Sequence, residues 1–570
     1  MRGGAEPGQS GQFDQATSHP RDPAPRQAET GPYYLEHFTQ VLCSVASRYG
    51  FLLSDAERQH IDCLHGLSQP SRMLYARLVN RRGPCFRVDK LSYPELPMLE
   101  TALAELQNAR LLRGCSPDKD LGDKRPLLRC FTLPELTTEL RRQGVSPPNR
   151  RAALLDWLHA SDGQTDLLRT LLGRYRVIRL GETDPWNFLR FLFFGELRDN
   201  LSDFVIRELG FLTPEDIAPD QLAPLFRSRA EARDAFHMAG LYAEFRTIRG
   251  VQSARDTLYW WQHQGVTRDA LAAGQESFDR LIDRLGRRLE REGEPALALA
   301  LYATSQHGMT RDRQARLLIK EGRRAEATQL AEAMAEAPRN SDEAYAARHL
   351  LRRLTQDRRT SDARSLQKLG RVVQLQTTFV SVESATLAHY RALGWDGVHA
   401  ENWLWNATFG LLFWDIIYDP GLGTFHSPLQ TAPSDLYDRD FFARRESLIE
   451  KRLIDLQQDR EAQFVATSTF NLKRGLTNPF VPWQDDILTY VLILIDRLPR
   501  PGLVSVLRRM AQDVLHHGRG FPDLFLWTAE DYSFVEVKSK TDQLSAAQYE
   551  WLVFFKKSGI CVHIDNVLQA

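Results

Sequence analysis

Three residues near the C-terminus, Asp523, Glu536 and Lys538, have the types and spacing to do chemistry together. Asp523 closes Gly518-Arg519-Gly520-Phe521-Pro522-Asp523 and opens the apolar run Leu524-Phe525-Leu526-Trp527. A polar turn at Glu530-Asp531-Tyr532 then leads into Ser533-Phe534-Val535-Glu536-Val537-Lys538. Two such runs joined by a short turn predict a β-hairpin. Side chains alternate along a strand, so Glu536 and Lys538 share one face while Val535 and Val537 turn to the core on the other. Asp523, at the head of the first strand, reaches the same polar face. Two carboxylates converging near an ammonium form a hard-oxygen site suited to Mg²⁺ or Mn²⁺. Such a site can hydrolyse a phosphodiester, because divalent ions lower the pKa of a bound water and neutralise charge on the leaving oxygen. Lys538 would orient or help deprotonate the water, or stabilise the transition state.

Ordinary roles compete with this reading. Asp523 could follow Pro522 in a turn, Glu536 and Lys538 could pair on an edge strand, and Glu401, upstream, could cap the helix containing Trp403. His516-His517 raises a His-metal finger, but the Asn-His pattern it needs is absent, and helix-end histidines explain the pair better. The six cysteines show no C-x-x-C pair and no zinc spacing with histidine, so they read as reduced core thiols.

The rest of the chain must position this chemistry. Its 570 residues call for several domains, and 43% hydrophobic with 26% charged residues is globular usage. Lys plus Arg and Asp plus Glu both number 73, so any nucleic-acid contact must come from local charge asymmetry. No apolar run reaches the roughly 18 residues of a membrane span, which makes an intracellular protein the expectation. The first thirty residues read as a disordered tail. From Tyr33 to Arg113 the apolar spacing is helical, broken by a Gly83-Pro84 turn into a short alternating run; a winged-helix-like unit with a small hairpin and a helical bundle with a surface loop both fit.

Thr132-Leu133-Pro134-Glu135 starts a helix with a capping box. That helix stops at Gly144, and a second begins near Asn149 with Leu154, Leu155 and Leu158 on one face. Arg141, Arg142, Arg150 and Arg151 lie at the ends facing the turn, where cations could meet phosphates. The pattern resembles a SAP domain, a small DNA-binding module. Further on, Gly293-x-x-Ala296-x-Ala298-x-x-Leu301 recurs 29 positions later at Gly322-x-x-Ala325-x-Ala327-x-x-Leu330. Small residues there suit a TPR-like helical array, read as a scaffold. After it, Arg348, Arg352, Arg353, Arg358, Arg359, Arg364, Lys368 and Arg371 face only Asp357 and Asp362. Arg311, Arg313 and Arg316 form a smaller patch that could grip a terminal 5′ phosphate through bidentate guanidinium.

Pro-Asp, spacer, Glu-x-Lys resembles the PD-(D/E)XK nuclease superfamily. Gly520-x-Pro522-Asp523-Leu524, Phe534-Val535-Glu536-Val537-Lys538 and Asp542-x-Leu544-Ser545-x-x-Gln548-x-x-Trp551 together look like its VRR-NUC branch. Upstream, Gly397-Val398-His399-Ala400-Glu401-Asn402 followed by Gly410-Leu411-Leu412-Phe413-Trp414-Asp415-Ile416-Ile417 is similar to the Fanconi-associated nuclease family, as is the order of modules. The resemblance implies a multidomain, mainly α protein with a C-terminal α/β PD-(D/E)XK domain, N-terminal winged-helix-like and SAP modules, and a central TPR-like region. The expected boundaries are 1–30 for the tail, 31–125 for the N-terminal DNA-binding region, 126–160 for the SAP-like module, 161–275 for a helical linker region, 276–375 for the repeats and 376–570 for the nuclease domain. It further implies that Glu401, Asp523, Glu536 and the main-chain carbonyl of Val537 hold Mg²⁺ or Mn²⁺, that Lys538 is catalytic, and that Gln548 supports the acidic pair or contacts DNA. Asp542 fits equally well as a cap for the helix from Ser545. The activity implied is structure-selective cleavage of branched or flapped double-stranded DNA, as a 5′ flap endonuclease and 5′-to-3′ exonuclease in interstrand crosslink repair, by a monomer or DNA-induced dimer. A junction-resolving nuclease and a non-catalytic repair scaffold are the alternatives. No N-terminal ubiquitin-binding zinc finger is seen, which points to a bacterial member acting in the cytoplasm or nucleoid rather than the nucleus.

Overall fold

The computed structural model describes residues 33–81, 83–116, 120, 124–148, 150–160, 164–197, 213–355, 362–375, 381–458 and 461–569. The expected tail, Asn149, Asp357, Arg358 and Arg359 lie outside them. Helices Tyr33–Tyr49, Asp55–Gly66 and Gln69–Val79 open the chain and bury Phe38, Val41, Leu64 and Leu74 in a shared core. Three short strands follow: β1 (Cys85–Arg87), β2 (Leu112–Gly114) and β3 (Val177–Leu180). The expected local hairpin does not form. β3 lies between β1 and β2 and pairs antiparallel with both, so the partner of β1 comes from beyond an intervening helical segment, where no local turn signal could announce it.

That intervening segment contains the two-helix unit. Thr132 Oγ1 accepts from Glu135 N at 3.4 Å and Glu135 Oε2 from Thr132 N at 2.7 Å, the reciprocal bonds of a capping box. Helices Leu133–Arg142 and Arg151–Ala160 bury Leu136, Leu140, Leu154 and Leu158 together with Leu127 and Leu167.

The centre of the chain is a succession of helices, Arg229–Ile248 through Ser341–Thr355. Ala298 and Ala327 are fully buried. Gly293 and Gly322, by contrast, sit just past the ends of helices Gln275–Arg291 and Thr310–Lys320 with φ of +83° and +77°. They turn the chain into the next helix, a conformation that only glycine adopts without cost.

The C-terminal sheet holds β4 (Arg371–Leu375), β5 (Asp396–His399), β6 (Leu524–Trp527), β7 (Tyr532–Lys538) and β8 (Val562–Gln569) in the order β4-β8-β7-β6-β5. β6 and β7 form the expected antiparallel hairpin with Phe525 opposite Phe534, and β7 pairs parallel with β8. Period-two alternation sends Val535 and Val537 toward Ala385 and Tyr390 of helix Val382–Ala392. On the opposite face, Phe525 and Phe534 pack with Trp405, Trp551 and Phe555. Both faces are therefore covered, and Glu536 is wholly buried rather than lying on an open polar face. The cysteines are all free, but only Cys85 is buried, and Cys43 and Cys561 are exposed, so the reading as core thiols holds for Cys85 alone. Among the described residues no helix is long and apolar enough to cross a membrane.

Candidate metal centre

Two long-range pairings assemble the site. β5 runs antiparallel to β6 with His399 opposite Leu524, and the bond from Ala400 N to Asp523 O at 2.7 Å extends this pairing past the strand end. Glu401, the next residue, is thereby set beside Asp523. On the other side Asp523 Oδ2 accepts from Val537 N at 2.8 Å, tying the carboxylate to the backbone of β7. Ligand atoms of His399, Glu401 and Asp523 all lie within 4.8 Å of one another. Lys538 Nζ lies 2.6 Å from Glu536 Oε1.

Burial shapes the electrostatics. Desolvation pushes Asp523 up to about 6, with Glu401 and Glu383 adding like charge and the Val537 N–H and Lys538 opposing. Glu536 is pushed up to about 8 by burial and then by the charge of Asp523, with Lys538 opposing. Burial works against the Lys538 ammonium, but Glu536 and Asp523 outweigh it and hold its pKa above the usual value. Packed carboxylates that resist ionisation in the absence of a cation mark a functional site.

A divalent ion fits the residues present. Glu536 Oε2 is buried and among the described residues has no hydrogen-bond partner, an orphaned acceptor that is costly unless something positive meets it. Glu401 and Asp523 add carboxylate oxygens, the preference of Mg²⁺ and Mn²⁺, with a ring nitrogen of His399 beside them.

Residues 32–113 match the family model "FAN1, HTH domain" and residues 457–568 match "VRR-NUC domain". The chain is 28% identical over 561 residues to a Fanconi-associated nuclease 1 homolog of Pseudomonas aeruginosa, covering 94% of this chain and 95% of that one. A rice homolog is 25% identical, with 94% of this chain and 62% of that one covered, and human Fanconi-associated nuclease 1 is 33% identical over 36% of this chain and 21% of its own length. A crystal structure of paFAN1 bound to 2-nt 5′ flap DNA with a gap aligns with a TM-score of 0.81 at 27% identity, covering 95% of this chain and 100% of that one. The chain is thus similar to Fanconi-associated nucleases along 94% of its length and matches two of the domain models that describe them. It is therefore an enzyme, a nuclease with a VRR-NUC domain, and Asp523, Glu536 and Lys538 lie inside the matched stretch while Glu401 lies outside it.

In this nuclease the other expected residues are placed as follows. Gln548 is the third residue of helix Ala546–Lys557, where it forms a capping box with Ser545: Ser545 Oγ accepts from Gln548 N at 3.2 Å and Gln548 Oε1 from Ser545 N at 3.0 Å. Asp542 instead accepts from Ser539, whose hydroxyl holds its carboxyl below the usual range, so the helix cap is Ser545. Arg141 and Arg150 are exposed. Arg142 pairs with Glu139 at 3.3 Å, and Arg151 donates to the carbonyls of Phe131 and Arg129.

The structure does not bring Arg311, Arg313 and Arg316 together as a free cationic patch. Arg311 is paired with Glu343 at 2.6 Å, Arg313 with Glu290, and Arg316 with Asp312 at 2.8 Å. Only Arg316 lines the cleft of about 570 Å³ that also reaches Glu401, Arg519 and Gln548. Sequence reasoning missed His399 and Glu383 as neighbours of Asp523. His399 stands two residues before Glu401 and so lay within reach of a motif reading, whereas Glu383 is carried in by a separate helix and left no signal.

Proposed function

We propose that this nuclease hydrolyses phosphodiester bonds of flapped double-stranded DNA as a 5′ flap endonuclease and 5′-to-3′ exonuclease using Mg²⁺ or Mn²⁺, and that it serves interstrand crosslink repair. The observation that carries the chemical part is the convergence of Glu401 and Asp523 beside buried Glu536, whose free oxygen calls for a cation. The substrate part rests on the likeness along the whole chain to paFAN1, which was crystallised on 5′ flap DNA.

Glu401, Asp523, Glu536 and the Val537 carbonyl would hold the ion. When bound, it supplies Lewis-acid activation of water and charge neutralisation at the phosphate. The Val537 N–H fixes the Asp523 carboxylate. Lys538, poised by Glu536, orients the attacking water or stabilises negative charge as it develops. The apolar walls of Trp405, Phe521 and Phe534 exclude water from one side of the sheet. Arg316 would meet the 5′ phosphate in the cleft beside Glu401. The helices from Leu133 to Ala160 would act as a SAP-like module holding DNA through Arg141 and Arg150, and the central helices as a TPR-like scaffold.

End-labelled 5′ flap and four-way junction substrates incubated with Mn²⁺, Mg²⁺ or chelator test this reading. Flap cleavage that needs the ion and is lost in Asp523→Asn supports it. Preferential cutting of the junction, or cleavage that survives chelator, contradicts it.

A further inference from the structure

One side chain bonds both the Glu401 carboxylate and the segment that leads to Asp523. Asn402 has φ of +59° and ψ of −42°, and Trp403 N donates to Glu401 O across it at 2.6 Å. This is a γ-turn centred on a residue with positive φ, a rare and strained conformation. The ψ lies outside the left-handed helical region that asparagine tolerates, so backbone preference alone does not account for the residue.

The side-chain amide does. Asn402 Oδ1 accepts from Gly520 N at 2.7 Å and from Phe521 N at 3.4 Å, on the segment that delivers Asp523. Its Nδ2 donates to Glu401 Oε1 at 3.3 Å. The two main-chain donors fix which way the amide faces, because its nitrogen cannot accept them. One group thus grips the Glu401 carboxylate with its donor and the Asp523 segment with its acceptor. The bond from Ala400 N to Asp523 O closes the other side. From these contacts we infer that Asn402 is a positioning residue that pre-sets the spacing between Glu401 and Asp523 so that both reach one divalent ion. This rests on the reading of the site as a divalent-cation centre.

Groups that orient ligating carboxylates typically matter by 10- to 100-fold in metal affinity. Asn402→Gly removes the amide while permitting the turn, since glycine adopts positive φ freely. Mn²⁺ binding to the full-length protein, followed by loss of the free-ion electron paramagnetic resonance signal, is measured beside the melting temperature in chelator and flap cleavage against Mn²⁺ concentration. The expected result is Mn²⁺ affinity weakened about 10- to 100-fold, an unchanged melting temperature in chelator, and cleavage that recovers at saturating Mn²⁺. Wild-type affinity in Asn402→Gly, or weakened affinity with a matching fall in the melting temperature, overturns the inference. Asp523→Asn is the control. If it binds Mn²⁺ and cleaves like wild type, the reading of the centre itself fails. If it loses both while Asn402→Gly behaves as wild type, only the role of Asn402 is lost.

Discussion

At the scale of single residues, the centre holds more negative charge in a dry place than it can carry alone. Asp523 and Glu536 both sit above the usual carboxylate range, at about 6 and about 8. An acid whose folded pKa is raised binds its proton more tightly folded than unfolded, so the contribution of these two groups to metal-free stability falls from about pH 4, the unfolded carboxylate range, up to about 6 for Asp523 and about 8 for Glu536. A cation that replaces those protons reverses the trend. The increment in melting temperature produced by Mn²⁺ is accordingly expected to grow between pH 6 and pH 8, which differential scanning fluorimetry with and without the ion can follow; an increment that shrinks over that range contradicts the assignment. Lys538→Ala removes a positioned cation and is expected to lower the turnover of flap DNA about 100- to 1000-fold while leaving Mn²⁺ binding within a few-fold of wild type.

At the scale of elements, the close approach of the Gly520 segment to helix Ala546–Lys557 sets the geometry. A Cβ on Gly520 would lie 2.6 Å from Ala547 Cβ and 2.8 Å from its backbone carbon, and φ there is +85°. Gly520→Ala is therefore expected to destabilise the protein by about 1–3 kcal/mol, measured by urea denaturation in chelator. What the sequence disclosed at this scale was local. The capping box at Thr132, the hairpin of β6 and β7 and the alternation that puts Glu536 beside Lys538 are all written within a few neighbouring residues. What it concealed depends on pairing across the chain. The insertion of β3 between β1 and β2, the influence of the Glu383 charge on Asp523 and the γ-turn at Asn402 follow from tertiary contacts or from a backbone dihedral, neither of which residue type reports. The burial of Glu536 was hidden for the same reason, because covering both sheet faces takes helices from distant parts of the sequence.

At the scale of the whole molecule, the nuclease domain is joined to the helical centre by charge. Arg519 pairs with Asp342 at 2.5 Å, and Glu550 accepts from Arg348, so the cleft beside Glu401 has one wall from each. Arg311 and Arg313 spend their charge within the helical region itself and do not line the cleft, which leaves DNA contact to Arg316 in the cleft and to exposed arginines elsewhere. Arg141 and Arg150 are expected to act in this way. Replacing both with alanine should weaken flap-DNA binding evenly across sequences and lower the magnitude of the salt dependence by about one unit for each phosphate that is no longer neutralised, as read by fluorescence anisotropy over a range of salt concentrations. An unchanged slope would remove them from the DNA interface.

Residues from three separate stretches of chain are expected to share one divalent ion. The most direct measurement is anomalous diffraction from crystals of the protein soaked in Mn²⁺. A peak is expected within coordination distance of Glu401, Asp523, Glu536 and the Val537 carbonyl; no peak among them, or a peak that excludes Glu536, would mean that they do not share an ion.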